Sequence, residues 1–252
     1  MFDATVREGV LRLSRPETRW LSTGWDGGRS RGATAYNVSV PEGFARTDLA
    51  AYRSERLARA GFDRGTGAEG ERDAAAERDA PPTLFTGVEM GHARGARFGP
   101  VVAYATVGLS NPATLPLDPE DASGSREPTT ATDRLDRFGT VNLIVGTTRR
   151  LAPGAAANLV AVAAETKAAT LLATAGVPGT TSDAVVVGDD PSGEPAAFSG
   201  SATPVGSAAR VCVRDAVRAS LRSRYPDGDV PGPAADAEHG VVADGRAEVF
   251  DP

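Results

Sequence analysis

The chain has 252 residues, of which 40% are hydrophobic and 24% are charged, and its formal net charge is −6 at pH 7. This length and composition support one sizeable core and exclude disorder throughout the chain. Residues 226–252 contain seven acids and one base, so they carry the whole net charge. The rest of the chain is formally neutral, and it therefore has no excess of positive charge for binding nucleic acid.

Strand-like segments outnumber helical ones. Alternating or continuous apolar patterns predict strands at residues 4–13, 33–41, 83–90, 99–109, 138–147, 183–188 and 196–200. Residues 4–13 suit a short strand or a hairpin, which is expected to be followed by a turn at Pro16. Gly, Pro and polar composition predicts an aromatic, Gly-rich loop at 20–32, polar surface excursions at 63–82 and 113–137, and a disordered acidic tail at 226–252.

Three segments, residues 48–60, 153–175 and 204–225, have helical patterns. The second has Pro at its start and Gly176 just past its end, and it is apolar around its circumference, so it should be buried on most sides. Strands and helices alternate imperfectly. The sequence therefore predicts a single α/β or α+β layered domain, residues 1–225, with a mixed β-sheet packed by helices.

The residue inventory excludes several kinds of site. Cys212 is the only cysteine, so no disulfide forms within the chain, and with only His92 and His239 a zinc site of several Cys and His ligands is excluded as well. No apolar run reaches the roughly 18 residues of a membrane span, and the amino terminus lacks the basic start and apolar stretch of a signal peptide. We expect a cytoplasmic protein with no membrane partner and no metal of its own.

Lys167 is the only lysine among 27 basic residues. The predicted helix places it on a face with Val160 and Ala163, where a lysine extends its ammonium to solvent, pairs with an acid from another element, or acts in catalysis. Glu165, the other charge of this helix, lies about 200° around the axis, so it cannot simply pair with Lys167.

Asp183 directly precedes a predicted buried strand and follows a short run of Gly, Thr and Ser. It is a candidate general base or partner of Lys167, and its alternative role is to cap a turn. Carboxamides flanked by apolar residues, which can bond amide groups or complete turns, occur at Asn37, Asn111 and Asn142.

Nucleophilic catalysis has fewer candidates. A Ser-His-Asp arrangement would need His92, because His239 lies in the predicted tail, but the polar surroundings of His92 favour a surface loop. Thr140 and Thr181 are possible nucleophiles, although the sequence points to no unique base for either. The Gly-rich loop at 20–32 lacks an ordered phosphate-binding motif, so no nucleotide site is expected.

The ordered succession of sequence blocks resembles the adenosylcobinamide amidohydrolase family (CbiZ). The blocks run from about Trp20 to Arg218 and read WLSTGWDGG, YNVSVPEGF, FTGVEM, TVGLSNP, GTVNLIV, AETKAATLL, GTTSDAVVV and FSGSATPVG. The acidic, Arg-over-Lys segments outside them resemble proteins of halophilic archaea. The resemblance implies hydrolysis of the amide between aminopropanol and a corrin-ring propionate, giving adenosylcobyric acid for cobalamin salvage.

The resemblance also implies site residues. Lys167, Asp183 and Glu165 are the expected catalytic residues. From the chemistry of amide hydrolysis we hypothesise that Asp183 or Glu165 activates water and that Lys167 stabilises the oxyanion or delivers a proton. The resemblance implies Gly27, Gly28, Asn111, Thr140 and Asn142 as substrate-binding residues, and Asn37 is added because its carboxamide is flanked by apolar residues. Trp20 or Trp25 could pack on the macrocycle. The protein itself is expected to bind no cofactor, since the corrinoid substrate carries the cobalt.

Two other hypotheses stay open. One is a Thr-nucleophile amide hydrolase that acts on another substrate through Thr140 or Thr181. The other is a corrinoid-binding protein without catalysis. The sequence does not distinguish the oligomeric states.

Overall fold

The computed structural model describes residues 1–62, 80–117, 139–231, 240–243 and 245–251. The strands within these ranges are β1 (Asp3–Arg7), β2 (Val10–Ser22), β3 (Gly28–Ser39), β4 (Thr83–Thr86), β5 (Arg94–Phe98), β6 (Val101–Val107), β7 (Ala113–Thr114), β8 (Val141–Thr147), β9 (Arg150–Leu151), β10 (Ala184–Asp189), β11 (Pro195–Ala196) and β12 (Val241–Val242). The helices are α1 (Leu49–Arg59), α2 (Pro153–Ala175) and α3 (Pro204–Arg224).

One eight-stranded sheet organises the fold, with the order β4-β3-β2-β10-β8-β6-β5 and with β1 paired to β2 off this path. Its β8–β10 and β3–β4 pairs are parallel, and its other pairs are antiparallel. The two predicted features of the fold, a mixed sheet and a layer of helices, are thereby confirmed.

Side-chain alternation decides what each face of the sheet contacts. Val141, Leu143 and Val145 of β8 belong to the main core with buried residues of α2 and α3. Ile144, in the opposite phase, packs in a second core with Trp20 and other residues. The continuous burial of β8 on both sides explains why its sequence is an almost unbroken apolar run.

Strands β3 and β4 also contact the second face of β6 and β8. Asn142 of β8 donates hydrogen bonds to the side-chain oxygen of Asn37 in β3 (3.0 Å) and to the carbonyl oxygen of Phe85 in β4 (2.9 Å). Asn37 in turn donates to the hydroxyl of Thr106 in β6 (2.9 Å). These buried bonds connect strands that are not neighbours in the sheet order.

Helix α2 begins and ends where the sequence predicts. Pro153 occupies its first turn, and Gly176 ends it in the left-handed conformation with φ of 72°. By length and composition α2 would also qualify as a membrane span, but within the described structure it packs against the sheet and α3. Eight of its 23 residues are buried and ten are exposed, so the expectation that α2 is buried on most sides is wrong. One side of the helix covers the sheet and α3, and the other faces outward.

Two expectations about β2 and β3 are wrong. Pro16 lies within β2 and not at its end, because the pairing of β2 with β3 shifts register between Ser14 and Thr18, with Glu17 at φ of 56°. Proline is tolerated at such a bulge because no ladder hydrogen bond is needed from it. The Gly-rich segment 20–32 is mostly strand, and only residues 23–27 form the hairpin loop.

Polar composition also concealed short strands. Arg94–Phe98 pairs with β6, although the polar residues around His92 predicted a surface loop. His92 itself lies in a 3-10 turn, Met90–His92. Within the predicted tail, Val241–Val242 pairs in parallel with Ala113–Thr114. The excursions predicted at 63–82 and 113–137 lie largely outside the described residues, as do residues 232–239 of the tail.

Candidate active site

Three loops meet at one edge of the sheet. The parallel strands β8 and β10 begin there, and the antiparallel strand β6 ends there, so that residues 108–111, 139–140 and 179–183 are brought together. Backbone hydrogen bonds join them, from Gly108 N to the Thr140 oxygen (3.1 Å) and from Ala113 N to the Gly179 oxygen (2.9 Å).

Asp183 and Lys167 form an ion pair at this edge. Asp183 is in phase with Val185 of β10, whose side chain faces α2, so its carboxylate points toward the helix that carries Lys167. The side chains of Lys167 and Asp183 are 12% and 13% exposed, so both are largely buried and still reach the surface. Of the interpretations open for Lys167, pairing with an acid from another element is what the structure shows.

Within the described part of the chain, the Asp183 carboxylate accepts hydrogen bonds from four donors. Oδ1 accepts from the backbone N–H of Val141 (2.9 Å) and from the hydroxyl of Thr180. Oδ2 accepts from the backbone N–H of Thr180 (3.1 Å) and from the Lys167 ammonium. Two donors on each oxygen satisfy the carboxylate and fix its orientation.

Gly179 leaves space for the ion pair. A β-carbon at this position would overlap with both Oδ2 of Asp183 and Nζ of Lys167. The residue is therefore a glycine because of close approach, since its φ is not in the left-handed region.

Asparagine and hydroxyl groups surround the ion pair. The Asn111 amide donates to the hydroxyl of Thr181 (2.6 Å), and the hydroxyls of Thr140 and Ser182 lie 3.1 Å apart. Thr181 and Ser182 are exposed, whereas Thr140 and Asn111 are buried. Among the described residues, the buried Oδ1 atom of Asn111 has no hydrogen-bond partner. This edge of the molecule therefore presents hydroxyl groups next to a fixed ammonium.

The predicted glycines lie in a neighbouring loop. Thr23 exchanges hydrogen bonds with the backbone of Val185, which places the β2–β3 hairpin beside β10 (3.0 and 2.9 Å). A β-carbon at Gly27 would overlap with the carbonyl oxygen of Ser22, and Gly28 has φ of 108°. Both glycines shape this tight hairpin next to the strand that Asp183 precedes.

The two tryptophans have different surroundings. Trp20 is buried against Phe2 and leaves no room for a side chain at Gly188, so it is a core residue and not a surface for the macrocycle. Trp25 is half-buried in the hairpin loop and packs on Phe85, with ring centroids 5.8 Å apart.

Three expected site residues lie apart from the ion pair. Glu165 is on the exposed side of α2, where its carboxylate pairs with Arg210 of α3 at 2.7 Å and is 62% exposed. The helical twist separates it from Lys167, as its position two residues away predicts. Asn37 and Asn142 are 2% and 1% exposed and bond to each other within the second face of the sheet.

The sequence analysis missed Thr180 and Gly179. Both belong to the run of Gly, Thr and Ser that drew attention to Asp183, but their contacts depend on the path of the loop. Among the described residues, no three His, Cys, Asp or Glu side chains come together as metal ligands. His92 Nδ1 lies 3.1 Å from the hydroxyl of Ser223 in α3.

The family model described as adenosylcobinamide amidohydrolase (CbiZ) matches residues 2–228. The chain belongs to this family. A relative named adenosylcobinamide amidohydrolase, from Halobacterium salinarum, is 52% identical over 255 residues, and the match covers 100% of each chain. Membership of the adenosylcobinamide amidohydrolase family thus extends over the residues of the candidate site.

Solved structures are more distant. A Pyrococcus horikoshii OT3 protein is 9% identical with a TM-score of 0.46, covering 94% of this chain and 83% of its own. The L-aminopeptidase D-Ala-esterase/amidase of Ochrobactrum anthropi is 12% identical with a TM-score of 0.36, covering 88% and 83%. A Burkholderia β-aminopeptidase is 16% identical with a TM-score of 0.39, covering 87% and 80%.

Proposed function

We propose that this protein hydrolyses the amide bond between aminopropanol and the corrin ring of adenosylcobinamide, giving adenosylcobyric acid for cobalamin salvage. Family membership over residues 2–228 and the 52% identical relative of that name support this activity. The structural observation that carries it is the Lys167 ammonium, held by Asp183 beside exposed hydroxyl groups at the edge of the sheet.

An alkyl amide is a weak electrophile with a basic leaving amine. Its hydrolysis needs a positioned water or nucleophile, donors for the oxyanion of the tetrahedral intermediate, and a proton for the departing nitrogen. A small-molecule substrate with many carboxamides, such as a corrinoid, also needs hydrogen-bonding groups that orient it.

Lys167 supplies the charge for the oxyanion. An ammonium has three N–H donors, and one of them is used by Asp183. The remaining donors can bond to the substrate carbonyl oxygen as it gains negative charge. Because Asp183 holds the ammonium before substrate binds, this stabilisation costs little reorganisation.

Asp183 acts by holding Lys167, which changes the role expected for it. Activation of water by this carboxylate would require a free oxygen lone pair, but both oxygens already accept two hydrogen bonds. Glu165 pairs with Arg210 away from the cluster. In the proposed mechanism, water bound at the exposed hydroxyls of Thr181 and Ser182 attacks the carbonyl carbon, and its proton passes along these hydroxyls to the departing amine.

The threonine-nucleophile alternative has weaker support. Within the described residues, Thr140 bonds to Ser182 and Thr181 accepts from Asn111, and neither hydroxyl is bonded to a carboxylate or an ammonium. A threonine nucleophile needs such a base. A Thr140→Ala plus Thr181→Ala double variant that still releases product would exclude it.

The decisive experiment is incubation of adenosylcobinamide with the protein, followed by mass spectrometry. We expect adenosylcobyric acid and free aminopropanol, and in ¹⁸O-labelled water one labelled oxygen in the new carboxylate. Lys167→Ala should reduce release by roughly 100-fold or more, as loss of an oxyanion donor does. Tight binding with an intact amide after long incubation would instead favour a corrinoid-binding protein without catalysis.

We also propose that the protein works in the cytoplasm of a halophilic archaeon. The identical residues shared with the Halobacterium relative and the excess of 33 acids over 27 bases support this assignment. Activity that rises with KCl concentration would test it, and full activity with unchanged stability in low salt would contradict it.

A further inference from the structure

We infer that Thr180 is a positioning residue that fixes the Asp183 carboxylate and thereby the Lys167 ammonium. This inference rests on the proposed function, because positioning matters only if the ammonium takes part in the reaction. Thr180 was not singled out by its sequence context.

Thr180 provides two of the four hydrogen bonds to Asp183. Its backbone N–H donates to Oδ2 (3.1 Å), and its hydroxyl donates to Oδ1. One residue therefore holds both oxygens, so the carboxylate cannot rotate about its Cβ–Cγ bond without breaking one of these bonds. The remaining donors are Val141 N on Oδ1 and the Lys167 ammonium on Oδ2.

The backbone around Thr180 is held independently of its hydroxyl. Pro112 and Thr180 form an isolated antiparallel β-bridge, and Ala113 N donates to the oxygen of Gly179 (2.9 Å). Thr180 itself is 8% exposed. Removal of the hydroxyl should therefore leave Oδ1 of Asp183 with the N–H of Val141 and without its hydroxyl donor, while the loop keeps its path.

The other hydroxyls of this run have different partners. Thr181 accepts from Asn111, and Ser182 lies against Thr140. Among the described side chains of this run, the Thr180 hydroxyl is thus the one bonded to the carboxylate. Thr174→Val, near the end of α2, is the matched control, since it removes a hydroxyl that donates to the Thr170 carbonyl oxygen (2.7 Å) and leaves the bonds to Asp183 in place.

The test compares Thr180→Val, which keeps the shape and removes the hydroxyl, with Thr180→Ser, which keeps the hydroxyl. For adenosylcobyric acid release we expect Thr180→Val to lower kcat by roughly 10- to 100-fold with little change in KM, because the ammonium is displaced at the reacting centre. Thr180→Ser should recover most of the rate. A kcat for Thr180→Val near that of wild type, or equal losses in both variants, would overturn the inference.

A second measurement does not depend on turnover. Lys167 is the only lysine in the chain, so protein labelled with ¹⁵N-lysine gives one side-chain NMR signal. We expect the position of that signal to change in Thr180→Val and to return to wild type in Thr180→Ser, with Thr174→Val unchanged. A signal unaffected by Thr180→Val would overturn the inference even if the enzyme is active. An inactive wild-type protein would overturn the proposed function instead, while the NMR comparison still decides the role of Thr180.

Discussion

Nζ of Lys167 donates a hydrogen bond to Oδ2 of Asp183. Lys167 lies on α2, and Asp183 directly precedes β10, sixteen positions further along the chain. The sheet brings them together, because Asp183 is in phase with the residues of β10 that face α2. A lysine that is the only one in the chain is thus fixed at a partly open edge of the molecule.

Gly179→Ala should separate this ion pair, since the new methyl group would overlap with both charged atoms. We expect a loss of adenosylcobyric acid release of roughly 100-fold, the order seen when a reacting group is displaced by about 1 Å. The measurement is kcat for folded protein, with folding checked by circular dichroism. Gly154→Ala, in the first turn of α2 with no atom near its β-carbon, is the matched control and should keep full activity. Equal activity in the two variants would contradict a role of the Lys167–Asp183 ion pair in catalysis.

Glu165→Gln should leave turnover nearly unchanged. Glu165 and Arg210 form an exposed pair, 62% and 40% accessible, and such surface pairs contribute about 0–1 kcal/mol to stability. The measurement is the steady-state kcat of Glu165→Gln, compared with that of wild type and of Lys167→Ala. If Glu165→Gln lowered kcat as much as Lys167→Ala does, Glu165 would have to be a catalytic residue.

Asn142→Ala should lower the free energy of unfolding, whereas the protein that remains folded should keep a turnover close to that of wild type. The substitution leaves the oxygens of Asn37 and Phe85 without their donor in a buried region, which costs about 1–3 kcal/mol for each unsatisfied group. Urea denaturation measures the free energy of unfolding. Asn158→Ala, which removes an exposed amide bonded to Ser199 at 3.1 Å, should cost less; a larger cost there would contradict the prediction.

Asp190 should contribute a pH-dependent part of the stability. Burial acts to raise the pKa of this carboxyl, but hydrogen bonds from Ser192 and the Arg15 guanidinium outweigh burial and lower the pKa below its ordinary value of 3.8. A lowered folded-state pKa means that the contribution is present above that ordinary value and is lost as pH falls through the folded value. Unfolding free energies at neutral pH and about pH 2.5 should therefore differ less in Asp190→Asn than in wild type. The exposed Asp227→Asn is the control, and an unchanged pH dependence in Asp190→Asn would contradict this account.

The segment Val241–Val242 should help to hold the loop around the candidate site, because it pairs with Ala113–Thr114 next to that loop. Val241 N donates to the oxygen of Pro112 (2.9 Å), and Ala243 N donates to that of Thr114 (3.0 Å), so β12 backs the strand that bonds to Gly179. We expect a chain ending at Gly240 to lose activity by roughly threefold or more through looser positioning. A chain ending at Asp244 keeps β12 and should match wild type. Equal rates in the two truncated chains would contradict this support.

Elements with strong local signals were predictable from the sequence. The limits of α2 follow from Pro153 and Gly176, and the helix at 48–60 is confirmed as α1, capped by the Asp48 carboxylate, which accepts from Ala51 N. The continuous apolar run of β8 indicated a central strand because it is covered on both faces.

Elements stabilised by pairing were missed. Arg94–Phe98 has three exposed residues of five, and it is a strand because β6 offers a free edge. Pro16 looked like the end of a strand, but a bulge removes the need for its missing N–H. Long-range pairing of this kind leaves no periodic signal in the residues themselves.

By itself, the sequence determined the mixed α/β class, the limits of the long helices, and the two charges, Lys167 and Asp183, that stand out from their apolar or small-residue surroundings. Local propensity and side-chain periodicity are sufficient for that. Only the tertiary structure decided that these two pair, that Glu165 faces Arg210 instead, and that Thr180 and Gly179 shape the site. The reason is physical: strand register and the path of the loop before β10 set which atoms come within hydrogen-bonding distance.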